Sequence, residues 1–312
     1  MRIVVTGVAG FIGSSLAEAL IAAGHDVTGI DAFVSYYPRE TKEANLRSLR
    51  LEPRFAFHEL DLARADLEPV LGGADACIHL AAMPGLAQSW VDIEGYAGCN
   101  VVATHRLLEA CRAVGLPRLL HASTSSVYGT FAVGDESMPT RPVSPYGATK
   151  LAAEHLVLGA VELFGLNASI VRFFSIFGPR QRPDMAYHQF IEALLDDRPI
   201  TVYGDGLQTR SNTFITDAVA GTIKALHGAR PGEIYNIGGG ASIALNDAIA
   251  AIADAVGTRP TIVREPTRPG DQRHTAANVS KAGRDFDYRP VVDPVEGLQR
   301  QVEWHRGRRT NT

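Results

Sequence analysis

Cysteine is scarce in this sequence. Cys77, Cys99 and Cys111 are the only three. The count is odd and no two are spaced as a metal or redox pair, which excludes a disulfide framework and a thiolate metal centre and suits small buried hydrophobes in a reducing compartment. Long apolar runs are missing too. Nothing approaches the roughly 20 residues of a membrane-spanning helix, and the opening MRIVVTG carries no apolar leader core or cleavage site. A cytoplasmic protein is expected. Basic charge is not in excess: Lys and Arg number 30 against 34 Asp and Glu, a formal charge of -4. That balance gives no electrostatic reason to expect nucleic acid or a membrane surface as a partner. The one dense basic run, Arg306 to Arg309, reads as a solvated tail. Repeats and low-complexity linkers are absent, and no residue set has the spacing of a metal site.

What is present is an ordinary globular composition, 46% hydrophobic and 21% charged. With 312 residues the chain can form one large domain or a domain with a smaller lobe. Its first half alternates two patterns. Short β-branched runs occur at 2–6, 26–30, 76–80, 118–122 and 169–174, and helical periodicity fills the gaps, as in Leu16, Ala19, Leu20 and Ala23. Strands alternating with helices predict a parallel sheet covered on both faces, doubly wound by right-handed crossovers. Beyond about Phe174 the pattern is less regular and richer in Gly and Pro. The strand-like 199–206 and 232–240 and the helix-like 245–257, with Ser242 or Asn246 as its expected N-cap, indicate a smaller C-terminal α/β lobe. The expected division is 1–174 for the main domain and 175–312 mainly for the lobe, with a segment near 210–240 returning to the main sheet.

Between the first strand and the first helix, GVAGFIG places Gly7, Gly10 and Gly13. Glycines there permit a tight turn and let backbone approach a diphosphate at a helix N-terminus. Asp31 follows at the end of the second strand, where an acid can bond both ribose hydroxyls of NAD and repels the extra phosphate of NADP. Further along, ASTSSVYG runs a buried strand into four hydroxyl residues, Ser123 to Ser126, and SPYGATK puts Tyr146 and Lys150 one helical turn apart on one face.

These residues, with Asp61-Leu62, HLAA (79–82), Asn100, the RFF-x-x-x-GPR stretch (172–180), GDGLQTR (204–210) and RPGD (268–271), resemble the extended short-chain dehydrogenase/reductase family. Within it they are closest to the NAD-dependent nucleotide-sugar epimerases and dehydratases. The resemblance spans almost the whole chain and implies a Rossmann sheet with a nucleotide-sugar-binding lobe. It implies that NAD is held by Gly7, Gly10, Phe11, Ile12, Gly13, Asp31, Asp61, Leu62, Leu80, Ala81, Ala82, Asn100, Ser123, Tyr146, Lys150 and Phe173. It implies catalysis by Thr124, Tyr146 and Lys150, and substrate contacts from Thr124, Ser125, Ser126, Tyr146, Ser175, Arg182, Thr201, Tyr203, Arg210, Arg268 and Asp271. Arg210 and Arg268 would neutralise a diphosphate and Asp271 a ribose hydroxyl. A tyrosine ionises near pH 10, and lowering that to about 7 takes about 4 kcal/mol of help from positive charge, here Lys150 and the nicotinamide ring.

The two positions after Thr124 narrow the reaction. Related 4,6-dehydratases carry Asp-Glu there, and UDP-glucuronate decarboxylases keep a Glu at the second. Ser125 and Ser126 are too weak as acid and base for either role. What remains is oxidation and re-reduction at carbon 4 of a UDP-sugar. Ser125, Ser126, Ser175 and Arg182 could receive a sugar carboxylate, favouring UDP-glucuronate over UDP-glucose, unless Arg182 merely pairs with Asp184 or another acid. A 4-ketosugar reductase and a non-catalytic NAD-sensing module are the remaining readings. The helices near 100–114 and 148–164 carry apolar residues on more than one face (Val101, Val102, Leu107, Leu108; Leu156, Val157, Leu158, Val161), and family members pair such helices, so a homodimer with a four-helix interface is expected.

Overall fold

The computed structural model of the chain describes residues 1–267 and 273–310. The β-branched run RIVVT forms strand β1 (Arg2–Thr6), and the glycine turn leads into helix α1 (Phe11–Ala22). The alternation continues with β2 (Asp26–Asp31), α2 (Arg39–Leu46), β3 (Phe55–Glu59), α3 (Glu68–Leu71) and β4 (Ala76–His79). Next come α4 (Ile93–Ala97), α5 (Ala103–Ala113), β5 (Leu119–Thr124), the short strand β6 (Phe131–Gly134), α6 (Pro145–Phe164) and β7 (Ala168–Phe173). Strands β1, β4, β5 and β7 are almost wholly buried, as a sheet covered on both faces requires.

The second half contains β8 (Ile176–Phe177), α7 (Ala186–Leu195), β9 (Ile200–Tyr203), β10 (Thr209–Ser211), β11 (Thr213–Phe214) and α8 (Ile215–Gly228). It then runs through β12 (Ile234–Ile237), β13 (Ser242–Ala244), α9 (Leu245–Val256), β14 (Ile262–Glu265), β15 (His274–Ala277), α10 (Ser280–Phe286) and α11 (Pro294–Thr310). The main sheet is wholly parallel in the order β12-β7-β5-β4-β1-β2-β3. The order reverses between β1 and β4, and a crevice opens at the carboxyl ends there, the place where doubly wound sheets bind ligands. β12 lies at the sheet's edge beside β7. Shorter strands make a separate sheet, β13-β10-β15-β6, and two pairs, β11-β8 and β14-β9.

Local sequence explains the key helix. Ser144 caps α6 by accepting from the Gly147 amide at 3.1 Å, Pro145 opens it, and Gly165 ends it in the left-handed region. This frames Tyr146 in the first turn and Lys150 one turn on. The cap expected for α9 is corrected: Ala244 occupies the N-cap, Ser242 lies in β13, and the Asn246 side-chain amide donates to the Asp205 carbonyl at 3.0 Å. An Asn already committed to a neighbouring turn has no oxygen placed for its own helix amides. The last helix is latched to α7, with Arg309 and His305 both on the Glu192 carboxylate.

Candidate active site

The cleft at the switch point is built first from backbone. Gly7 has φ +70°, and a Cβ there would sit 2.8 Å from the Ala81 nitrogen; a Cβ on Gly13 would sit 2.2 Å from the Gly7 carbonyl oxygen. The turn therefore closes against both α1 and β4 only without side chains. Gly10 at the N-cap makes no side-chain cap, which leaves the first α1 amides facing the cleft. Asp31, at the end of β2, accepts from the Ala9 and Phe33 amides at 3.1 and 2.8 Å. Lys42 lies 3.8 Å from it.

Most of the residues assigned to a cofactor from sequence meet in this cleft. Gly7, Gly10, Phe11, Ile12, Gly13, Asp31, Asp61, Leu62, Leu80, Ala81, Ala82, Ser123, Tyr146, Lys150 and Phe173 all line it, and so does Arg182. Asn100 does not. It sits one layer behind, accepting from the Met83 amide at 2.7 Å and donating to Met83 and Thr149, so it shapes the wall rather than lining it. The lining also includes Tyr36, Tyr37, Lys42, Met83, Pro84 and Cys99, which sequence reasoning missed. Lys42 stands eleven residues beyond Asp31 on another element, and no spacing rule links the two.

Of the catalytic candidates Tyr146 and Lys150 line this cleft, while Thr124, like Ser125, Ser126 and Ser175, does not. β5 extends through Thr124, whose hydroxyl oxygen accepts from the Ser126 amide and caps the turn carrying Ser125 and Ser126. Burial raises the Tyr146 pKa, while the Thr124 hydroxyl and the positive charge of Arg182 oppose it. The lowering expected from Lys150 is thus not what this structure shows: its ammonium donates to the Ala122 carbonyl at 2.7 Å and lies 3.5 Å from His121 Nε2. Burial brings Lys150 down to about 8, with Glu154 pulling the other way.

A polar layer supports that floor. Arg172 makes a two-pronged contact with Glu154 at 2.9 and 2.6 Å and donates to the Tyr128 hydroxyl at 2.8 Å; Glu154 in turn accepts from Ser123. His79 bridges Thr6 and Thr104 at 2.7 and 3.0 Å, and burial drives its pKa to about 3. His121, beside it, is held well below its ordinary value by burial and by Lys150.

The opposite wall is lined by Arg182. Ser175 (φ 40°) and Arg180 (φ 68°) occupy the left-handed region, and Arg180 pairs with Glu18 of α1 at 2.8 Å. Arg182 forks onto Asp184, both contacts at 3.0 Å, and Asp184 also accepts from the Tyr36 hydroxyl at 3.2 Å. Thr201, Tyr203 and Arg210 do not line the cleft; they lie on β9 and β10. Arg268 and Asp271 lie outside the described residues. Elsewhere, His188, Glu192 and His305 bring one ligand atom each within 4.8 Å. The Glu192 carboxylate in that cluster is already paired with Arg309.

The closed glycine turn, the uncapped amides and the acid at the end of β2 fit a dinucleotide and leave little else that would fill the crevice. The fold and cleft thus define a dinucleotide-binding α/β protein with a Tyr–Lys pair on its floor. The model of the NAD dependent epimerase/dehydratase family matches residues 3–238, and the chain belongs to that family. It is 41% identical over 310 residues to the uncharacterized UDP-glucose epimerase YtcB of Bacillus subtilis, covering 97% of this chain and 98% of that one. It is 36% identical over 306 residues to the UDP-glucuronate 4-epimerase of Thermodesulfobacterium geofontis, covering 96% and 94%. The crystal structure of UDP-glucuronic acid 4-epimerase from Bacillus cereus, in complex with UDP-glucuronic acid and NAD, matches with a TM-score of 0.95 at 40% identity, over 98% of this chain and 99% of that one. Among the described residues no helix is long and apolar enough to cross a membrane.

Proposed function

We propose that this chain is a nucleotide-sugar 4-epimerase acting on UDP-glucuronate and UDP-galacturonate. The observation that carries the reading is the pair of groups facing each other across the cleft. On the floor is the buried Tyr146 phenol, and on the opposite wall is the Arg182 cation, whose charge acts on that same phenol. The glycine turn and the open end of α1 would hold the diphosphate of NAD, and Asp31 the adenosine ribose. NAD supplies a reversible hydride acceptor for carbon 4.

Tyr146 takes the proton from the 4-hydroxyl and returns it after the sugar has turned over in the pocket. Thr124 fixes the reacting oxygen from the other side. Lys150, brought to about 8 by burial, still carries its charge at neutral pH, while the charge that favours the phenolate in this structure is that of Arg182. Ser125 and Ser126 supply hydroxyl donors and no acid or base, so elimination of water and loss of carbon dioxide have no group to drive them. Arg182, with Ser175 alongside, receives the carboxylate on carbon 5, which is too costly to bury unpaired. Arg210, Arg268, Asp271, Thr201 and Tyr203 serve the nucleotide from the C-terminal lobe, which begins near residue 175.

A second reading, UDP-glucose 4-epimerisation, is favoured by one contact: Asp184 already neutralises Arg182, so a neutral sugar leaves no cation unpaired. Incubation with a panel of UDP-sugars, with carbon 4 stereochemistry read by proton NMR, decides. Formation of UDP-galacturonate from UDP-glucuronate without consumption of added NAD is the expected result; conversion of UDP-glucose alone overturns the uronate reading, and net use of dinucleotide points to a reductase.

The assembly proposed is a homodimer in the cytoplasm. Leu107, Leu108 and Val157 belong to the core rather than to an outer face, because they pack inward against the sheet. The surface apolar groups are instead Trp90, Val91, Ile93, Val102, Leu163 and Phe164, on and beside α4, α5 and α6. Sedimentation at micromolar concentration tests it: a monomer there removes the proposed interface.

A further inference from the structure

Arg182 is not idle in this structure. Its Nε and Nη2 each donate to a different oxygen of Asp184, both at 3.0 Å. The same Asp184 carboxylate accepts from Tyr36, which comes from the loop after β2 on the cofactor side. The Arg182 guanidinium lies over the Tyr36 ring, 5.8 Å from its centre. Both side chains of the ion pair keep contact with water, 22% exposed for Arg182 and 36% for Asp184. A pair placed this way is weak and easily exchanged.

We propose that Asp184 is a specificity-determining residue, an internal stand-in for the carboxylate of the sugar. It fills the Arg182 fork until a uronate arrives, yields it to the substrate carboxylate, and keeps the cation neutralised when the sugar carries none. The exchange replaces one carboxylate by another on the same planar fork, so the Arg182 cation stays paired throughout, and the released Asp184 carboxylate, 36% exposed and still accepting from Tyr36, turns to water. Two consequences follow from the chemistry. Asp184 weakens uronate binding by competing for Arg182, and it lets a neutral UDP-sugar enter without leaving the Arg182 cation unpaired. This inference rests on the uronate reading above, for it gives Arg182 a carboxylate partner.

The test compares UDP-glucuronate, UDP-glucose and UDP binding to the wild-type NAD-bound protein and to Asp184→Asn, by calorimetry. The expected result is UDP-glucuronate bound roughly fivefold more tightly by the variant, the equivalent of one exposed ion pair, with UDP-glucose and UDP shifted by less than about twofold. Asp184→Glu should restore the wild-type ratio, and Tyr36→Phe, which keeps the carboxylate, should leave the ratio unchanged. Equal shifts for both sugars, or none for UDP-glucuronate, overturn the proposal. Binding is read apart from turnover. If the wild type epimerises only UDP-glucose while the variant still gains affinity for UDP-glucuronate, the uronate reading fails and the exchange at Arg182 stands.

Discussion

Two arginine–carboxylate forks frame the cleft, and they differ in almost every physical respect. Arg172 and Glu154 lie beneath the floor, with side chains 4% and 1% exposed, and every remaining polar atom finds a fixed neighbour in Ser123 and Tyr128. Arg182 and Asp184 lie at the mouth, in a segment with left-handed residues and wet side chains. The same two functional groups do different work because solvent sets their strength. A buried fork is rigid and is damaged by loss of either partner; an exposed fork is near balance and can change partners. On the function proposed, the chemistry common to all substrates would rest on the first, and the choice among substrates on the second.

The largest expected effect is at the phenol between the forks. Tyr146→Phe should lower kcat by about a thousandfold or more, within the range of a lost acid–base group, while calorimetric NAD binding and the folded spectrum persist. Next comes the buried fork. Glu154→Leu strands the Arg172 charge and should cost about 3–5 kcal/mol of stability in urea denaturation, with all UDP-sugars affected alike. Arg182→Ala should cost about 10- to 100-fold in kcat/KM for UDP-glucuronate and move the denaturation midpoint little; an equal loss with UDP-glucose would erase the contrast between the forks.

Two pH effects are smaller, and both belong to the floor. His79 is held neutral by burial with a pKa of about 3, against an ordinary value of 6.5. Its contribution to stability is complete above pH 6.5, where both states are neutral, and is lost as pH falls through that window because only the unfolded chain takes the proton. The slope is at most about 1.4 kcal/mol per pH unit for each such histidine, and His121 adds in the same direction. Thermal unfolding between pH 7 and 4 should show it, and His79→Asn should flatten it. Lys150 titrates near 8, so kcat should decline as the ammonium is lost above that pH, whichever sugar is present.

Much of the floor was legible before any coordinates. Gly7 and Gly13 announce a turn because only glycine tolerates the approaches found there, and Ser144, Pro145 and Gly165 mark the limits of the helix that carries Tyr146 and Lys150. Such signals are local, acting over a few residues. The supporting layer was not legible: Glu154, Arg172, Tyr128 and Asn236 come from one helix, two strands and a turn, and no spacing rule joins residues whose only link is a shared burial. Asn100 was read as lining the cleft and proves to stand behind it, because a side chain's depth depends on the wall in front. Nor did periodicity tell the inward Leu107, Leu108 and Val157 from the outward Leu163 and Phe164.

Sequence alone determined the parallel sheet, its glycine turn and the Tyr–Lys pair, since each follows from dihedral limits or helical periodicity within a short stretch. Tertiary structure decided which charges meet. Arg182 finds Asp184 two residues on, yet the Tyr36 hydroxyl that also donates to Asp184 comes from 148 residues away, and the Arg172 fork on Glu154 exists only where β7 packs on α6. Electrostatic partnership depends on distance and solvent in three dimensions, and neither is written along the chain.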